Sequence, residues 1–442
     1  AQGLGAYMRR TPPQRACPLW SLFCCCHIVA GAPTRLAPGG REVVDLSVVL
    51  CGRNDGHASD LSGDFVKRLQ RTVFSLLLGF CRRKVSSEVV LVEWRPPNNT
   101  QGLQSLALSW IEEEVQRRRG VGYHFDCKLE DLPALRVITV GDKDADEALR
   151  SVGQPAYKGM LEWSCKSIGL QRARGDMILT INADDMPSSA AFDFLAHVRH
   201  LRRDTYYLAQ TVGVWFLEPK GRELRFHEVY ADIFRRVSGG AEHEAQEAAK
   251  IRPEVAFSRE HHFCERPRQF WANNRSSVES SEPLWRSYDE RYRVHVNITA
   301  DDGLPKNFYD LYVGDFILAS RVAWRRIGGA PMLLQSVAID WLVSCRFATT
   351  LRQVVLMSPC FNAHQNHPHS MTTRKRRVDA SRSRELNHDF LERCQQPLQK
   401  LPSERGVLRR QWGFPRKRFP EVQLVADPRS GKITLVAYSS IP

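Results

Sequence analysis

The sequence predicts an α/β fold: a mostly parallel, doubly wound sheet with helices on both faces. Three observations carry this expectation. Short apolar runs bounded by turn residues alternate with stretches of helical period along the first 190 residues. The runs are continuous rather than strictly alternating, as expected of strands covered on both faces. Acidic and amide side chains stand at the carboxyl ends of several of them. With 442 residues, 43% of them hydrophobic, the chain has enough material for one large or two ordinary domains.

Taken in order, Val43 to Leu50 reads as the first strand and runs into a polar, Gly-bearing loop, Cys51 to Gly56. From Phe65 to Leu77 the apolar residues 65, 66, 69, 73, 76 and 77 follow helical spacing. Ser87 to Glu93 is the second strand, closed by Trp94-Arg95-Pro96-Pro97, which neither helix nor strand continues through. Leu103 to Arg119 is a helix, Leu135 to Val140 a third strand, and Glu162 to Arg172 a helix. Met177 to Ile181 is a buried strand bounded by Gly175 and, past an abrupt acidic end, by Pro187. This alternation implies right-handed parallel crossovers. Val422 to Ala426 and Lys432 to Ala437, separated by Asp427 to Gly431, read as a terminal hairpin.

The strand ends are the informative part. The first strand ends at Arg53, Asn54 and Asp55, the second at Glu93, and the fourth at Asn182, Asp184 and Asp185. Open α/β sheets bind ligands in the crevice beyond the carboxyl ends of their strands. Two carboxylates there can hold a hard cation, which in turn can hold a diphosphate. The competing reading is a polar turn in which Asp185 caps the helix beginning near Ser188-Ser189. Neither a dinucleotide-type glycine fingerprint nor a P-loop occurs, so a nucleotide here would be gripped by side chains and a metal.

Composition limits the alternatives. The formal net charge is +14, which suggests anionic partners without choosing among them, and the excess lies late, as in Arg374 to Arg377 and Arg416 to Arg418. The twelve cysteines include no C-x-x-C pair, so a structural zinc site of usual spacing is unsupported and buried free thiols are expected. Cys17 to Ala32 is apolar and follows Arg9, Arg10 and Arg15, which suits a signal peptide or truncated signal-anchor and hence membrane association. Sequons at Asn98, Asn274 and Asn297 fit an ER or Golgi lumen, with the cytoplasm as the alternative. No nucleic-acid module is recognisable.

Together, Leu46 to Leu50, Arg53-Asn54-Asp55, Glu88 to Trp94 and Ala173 to Asp185 resemble the nucleotide-binding half of a GT-A glycosyltransferase, most nearly of the family-2-like group. The resemblance implies a GT-A (Rossmann-like) domain over residues 41–370, preceded by a leader or signal-anchor-like segment at 1–40. It also implies an acceptor-side insertion at about 217–306 and a basic extension with the hairpin at 371–442. It implies that Asn182-Ala183-Asp184-Asp185 stands for the family's D-x-D motif, with Asp184 and Asp185 as metal ligands and Asn in place of the first acid. Arg53, Asn54, Asp55, Glu93, Lys166, Arg174, Asn182 and Asp184 are then the donor-binding set. Glu93 lies where an acid meets the nucleoside, Lys166 where an Asn is common, and Arg174 in the Ala-Arg-Gly element before the motif strand. Tyr312 to Gly329 resembles the family's second half, and Ala338-Ile339-Asp340 its Glu-Asp element without the glutamate. Asp340 is then the base that deprotonates the acceptor in an inverting reaction, with Asp315 as its competitor. Their structural readings are a helix N-cap and a strand-end cap. His364, His367 and His369 fall where some GT-A enzymes supply a late metal ligand, His364 and His369 foremost; a polar loop is the alternative.

The reading is thus a glycosyltransferase using a UDP- or GDP-sugar with Mn²⁺ or Mg²⁺ and a hydroxyl acceptor. Two rivals remain. A sugar-nucleotide pyrophosphorylase-like enzyme would want a glycine-rich loop where this chain has Cys51-Gly52-Arg53-Asn54. A non-catalytic polyanion- or glycan-binding protein explains the charge but not the acids at the strand ends.

Overall fold

The computed structural model describes residues 44–54, 65–121, 127–151, 159–187, 189–214, 316–330, 339–351, 353–365, 412–415, 417–426 and 433–438. The chain divides into Ala1–Glu42 and Val43–Pro442, and every described residue belongs to the second unit. The apolar segment near the start and the 217–306 insertion lie outside the described residues.

Strands β1 (Leu46–Gly52), β2 (Ser87–Trp94), β3 (Ala134–Val140) and β4 (Met177–Ile181) form the heart of the sheet. They are joined by β5 (Asp185–Pro187), β6 (Thr205–Val214), β7 (Phe316–Ser320), β8 (Gln353–Gln365), β9 (Glu421–Ala426) and β10 (Ile433–Ala437). The order across the sheet is β10-β9-β3-β2-β1-β4-β7-β6-β8-β5. β3, β2, β1 and β4 run parallel, β7 opposes β4, and β6 and β8 return to the first direction. A parallel heart followed by one reversed strand is the GT-A-type, Rossmann-like arrangement that the resemblance implies.

Alternation along the strands sorts the core onto the two faces. Leu46, Val48 and Leu50 of β1 pack in one apolar cluster with helix α1 (Phe65–Arg82), α2 (Leu103–Val121) and α5 (Ser189–Leu195). Val49 and Cys51 pack in the other with α3 (Asp142–Ser151), α4 (Glu162–Arg172), α6 (Arg321–Arg326) and α7 (Ile339–Thr350). Buried Leu69, Val73, Leu76 and Leu77 keep the expected helical period in α1, which continues to Arg82 because Phe80 and Cys81 are buried too. β4 and α4 occupy the expected residues. α4 lies close enough to the sheet that a Cβ on Gly169 would sit 2.5 Å from Val49. Gly328 and Gly329, at φ +79° and +71°, end α6 in the left-handed conformation that side chains disfavour.

One finding differs from the sequence expectation, and a second adds to the expected hairpin. Four cysteines of the described core are not free thiols: Cys51 at the end of β1 is bonded to Cys165 of α4, and Cys81 of α1 to Cys127. Pairing across 114 and 46 residues leaves no local spacing to read. The terminal hairpin, moreover, extends the main sheet, with Leu424 of β9 opposite Leu135 of β3.

At the amino-terminal edge one buried acid joins five segments. Glu88 of β2 accepts from Ser47 Oγ of β1 (2.6 Å), Arg136 Nη1 of β3 (2.9 Å), and the backbone N–H and Nε of Arg174 before β4 (2.7 and 2.6 Å). Arg136 also pairs with Glu421 of β9 at 2.6 Å, and Ser47 Oγ accepts from the Gly175 N–H at 2.7 Å. Gly175 is required by space, since a Cβ there would lie 2.4 Å from the Ser47 nitrogen. Burial pushes the Glu88 carboxyl up, but the two guanidinium groups and the Ser47 and Arg174 hydrogen bonds outweigh it and hold it below its ordinary value.

On the far side, β8 pairs with β6 in two stretches. Ala209 faces Met357 and Gln210 faces Phe361, so Ser358, Pro359 and Cys360 have no partner residue on β6. Pro359 has no N–H to give the ladder, which suits it to such an irregularity.

Glu88→Gln removes the charge that compensates two cations at a buried site and is expected to cost about 3–5 kcal/mol in chemical denaturation. Because the folded-state carboxyl is held low, its contribution is present above the ordinary carboxylate range and is lost as pH falls through the lowered value. The variant's stability should therefore fall less steeply than the parent's below about pH 4.5. A parallel acid limb in the two proteins would contradict this role.

Candidate active site

β4 delivers its chain to the carboxyl edge of the sheet, where it must turn before β5. Ala183 and Asp184 are the central residues of that turn, which the Asp185 N–H closes by donating to the Asn182 carbonyl at 3.2 Å. Asp185 then enters β5 and sits directly opposite His364 of antiparallel β8. It is a strand residue, so the helix-cap reading of Asp185 does not hold. His364 Nδ1 lies 2.8 Å from Asp185 Oδ1 and 3.7 Å from Asp184 Oδ1. The Gln365 N–H also donates to the Asp184 carbonyl at 2.9 Å, fixing the two segments to each other.

One ligand atom from each of Asp184, Asp185 and His364 can be chosen so that all lie within 4.8 Å of one another. Neighbouring oxygens around an octahedral Mg²⁺ stand about 3 Å apart and opposite ones about 4.2 Å, given metal–oxygen bonds near 2.1 Å. Both aspartates are buried and His364 is partly exposed, which leaves the group one open side. Two carboxylates and an imidazole at this spread form a donor set that could hold a divalent cation.

Cationic side chains surround this pair of acids. Arg68 of α1, fully buried, has Nε 3.7 Å from Asp184 Oδ2. Gln365 ties that helix to β8, its amide donating to the Arg68 carbonyl (2.9 Å) and to Thr72 Oγ1 (3.2 Å). From the opposite face Lys166 of α4 donates to Asn182 Oδ1 at 2.6 Å and pairs with Glu162 at 2.5 Å. Its ammonium lies 4.7 Å from the Trp163 ring centroid, and the Trp163 indole N–H donates to Asp340 Oδ1 at 3.0 Å. Asp340 stands in the first turn of α7, inside the helix that Ile339 begins, so it is not the cap residue.

Other sequence candidates fall as follows. Arg53 and Asn54 lie at the carboxyl end of β1, and Asn54 exchanges hydrogen bonds with the loop before α2, donating to the Gln101 carbonyl and accepting from Thr100. Glu93 is at the same edge but is buried and caps α2, accepting from the Leu103 N–H at 2.8 Å and from Thr139 Oγ1 at 3.3 Å. Burial pushes its carboxyl above the ordinary value, with those two hydrogen bonds pulling the other way. Arg174 is a correction. It precedes β4, at the opposite edge from Asp184, and is engaged with Glu88. Asp55, Asp315 and His369 lie outside the described residues. The sequence reading missed Arg68 and Trp163. Arg68 carried at most a faint signal, a cation one position before buried Leu69 in a helix that also holds Lys67, Arg71 and Arg82.

No family model and no curated protein matches this chain. Among solved structures it is similar to TarS 1–349 from S. aureus in complex with UDP-GlcNAc, at 12% identity over 78% of this chain, with a TM-score of 0.38. It is also similar to the mannosyltransferase PcManGT from Pyrobaculum calidifontis in complex with GDP-Man and Mn²⁺, at 13% identity over 85% of this chain, with a TM-score of 0.39. The chain spans 66% and 71% of those two chains, and 60% of TarS 1–349 in another structure.

Glu93 yields a test that separates its cap from any ligand role. A buried acid with a raised folded-state pKa is least costly while protonated, so its contribution falls as pH rises from about 4.5 through the raised value. Glu93→Gln keeps an acceptor for the Leu103 N–H and removes the charge. The expected result is a flatter stability-against-pH curve across that window, measured by thermal melting, with stability at neutral pH equal to or above the parent. A loss of stability at pH 7 would show that the ionised form is needed for the cap.

Proposed function

We propose that the protein is a glycosyltransferase that moves a sugar from a nucleoside-diphosphate donor to an acceptor hydroxyl, using Mn²⁺ or Mg²⁺. The observation that carries the proposal is the convergence of Asp184, Asp185 and His364 beyond the end of β4, where such sheets bind ligands. Those three side chains would hold the cation, which when bound would neutralise charge on the departing diphosphate. Arg68 and Lys166 add fixed positive charge on either side of the same turn. A donor diphosphate in the crevice would therefore meet donors that need no rearrangement as charge develops.

Asp340 is the base in this reading. Its carboxylate accepts the proton of the acceptor hydroxyl while the acceptor oxygen forms a bond to the anomeric carbon. The bond from that carbon to the diphosphate oxygen breaks on the opposite face, so configuration inverts. Arg53, Asn54 and Glu93 border the edge where the nucleoside of a UDP- or GDP-sugar would lie. An ER or Golgi lumenal location belongs to the same proposal. It is supported by two disulfides and by exposed Asn98 in its sequon, features of chains made in an oxidising compartment. Among the described residues no helix is long and apolar enough to cross a membrane, so membrane association would rest on the segment at 17–32.

Two variants test the assignment. Asp184→Ala is expected to abolish manganese-dependent binding of UDP and GDP in calorimetry while the far-UV spectrum is unchanged. Equal affinity with and without manganese in the parent, or an unaltered variant, would reject the metal site. Asp340→Asn should leave that binding intact and lower turnover roughly 10²–10⁴-fold, the scale of a lost general base. Should Asp315→Asn abolish turnover while Asp340→Asn retains it, the base is Asp315 and the transferase reading stands.

A further inference from the structure

We infer that Trp163 is a positioning residue that sets the orientation of the Asp340 carboxylate and couples it to the donor-side turn. The inference rests on the transferase reading and extends it to a residue with no acid–base chemistry of its own. Trp163 is 3% exposed, yet its single polar atom is not spent on a backbone carbonyl; it donates to Asp340 Oδ1 at 3.0 Å. A buried indole N–H needs an acceptor, and a carboxylate is the strongest available. The bond occupies one oxygen of Asp340 and restricts the plane of the carboxylate.

The same ring serves a second contact. Its face lies under the Lys166 ammonium at 4.7 Å, and Lys166 in turn donates to Asn182 Oδ1 in the turn that carries Asp184. Trp163 and Lys166 are three residues apart on α4 and so project from one side of it. Between them Cys165 is bonded to Cys51 of β1, and a Cβ on Gly169 would meet Val49, so α4 is held to the sheet by a covalent bond and by close packing. One anchored turn of helix thus sets the distance between the acid that would take the acceptor's proton and the acids that would hold the cation. A positioning residue of this kind acts on the reacting groups only through a neighbour's geometry.

The test uses the full chain and Trp163→Phe, which keeps an aromatic ring on α4 next to Lys166 and removes the N–H together with part of the indole volume. The double variant and the indole resonance separate loss of the hydrogen bond from loss of volume. Nucleoside-diphosphate release from a panel of UDP- and GDP-hexoses in manganese is compared for the parent, Trp163→Phe, Asp340→Asn and the double variant. The expected result is a roughly 10- to 100-fold fall in kcat for Trp163→Phe, the scale of a lost hydrogen bond to a charged group, with donor KM within about twofold. Added to Asp340→Asn, the same change should cost nothing further, because the two act as one unit. In spectra of the ¹⁵N-indole-labelled protein, the resonance missing from Trp163→Phe should be the one that shifts most in Asp340→Asn. Parent-like kcat in Trp163→Phe beside an inactive Asp340→Asn overturns the positioning role and leaves the base in place. A Trp163 resonance unmoved by Asp340→Asn also overturns it. Full activity in Asp340→Asn, or release from none of the donors, counts instead against the reading beneath it and removes the role with it.

Discussion

A single carboxylate, that of Glu88, holds the amino-terminal edge of the sheet in register. It reaches β1 through Ser47, β3 through Arg136 and the entry to β4 through Arg174, and Arg136 carries the connection on to Glu421 of β9. The buried faces of these strands already favour one register, because a slip of one residue turns every side chain to the opposite face, and the Glu88 contacts add to that preference. Apolar residues replacing the acid and its arginines together could fill the volume at little cost in stability, but they would not distinguish one register from its neighbours. The energetic weight of the arrangement appears when it is broken, because the arginines are then left buried without their acid.

The two edges of the sheet consequently differ in character. At the amino-terminal edge acids and cations satisfy one another inside the protein. At the carboxyl edge, charged groups from α1, α4, α7 and β8 are linked by contacts around the β4–β5 turn, with His364 partly exposed. The first edge supports the second: the register that Glu88 helps to fix at one end is the register that brings Asn54, Glu93 and Asp184 to the other. Arg174 belongs to this division of labour. Its place in an Ala-Arg-Gly element next to the motif strand suggested ligand binding, and the length of β4 separates it from the ligand edge.

How far the sequence could be read follows from the range of the interactions. α4 and β4 were legible to the residue because local signals mark both their ends: Glu162 and Arg172 on the helix, Gly175 and the acidic turn on the strand. The acids after β4 were legible as a strand-end pair because their position follows from the strand that carries them. His364 could be suspected but not placed, since its partner Asp185 lies 179 residues away and the pairing of β5 with β8 has no local signature. The disulfides were missed for the same reason. Glu93 was read at the right edge, but its engagement with the first turn of α2 depends on a loop geometry that composition does not reveal. Arg68 shows the limit most plainly, because a cation on a mostly buried helix has meaning only once the facing acid is known.

The unmatched residues of β8 bear on how this chain tolerates changes of length. Ser358, Pro359 and Cys360 lie between two paired stretches of β8, and neither stretch uses them for its ladder with β6. An insertion or deletion of one residue there can be taken up within the irregularity, leaving both pairings as they are. The same change between Phe361 and Ala363 has no slack to draw on. It would carry His364 to the other face of the strand and set a neighbour opposite Asp185 in its place. Two adjacent stretches of one strand are thus opposite in their permissiveness, and length variation within this sheet is confined to the first of them.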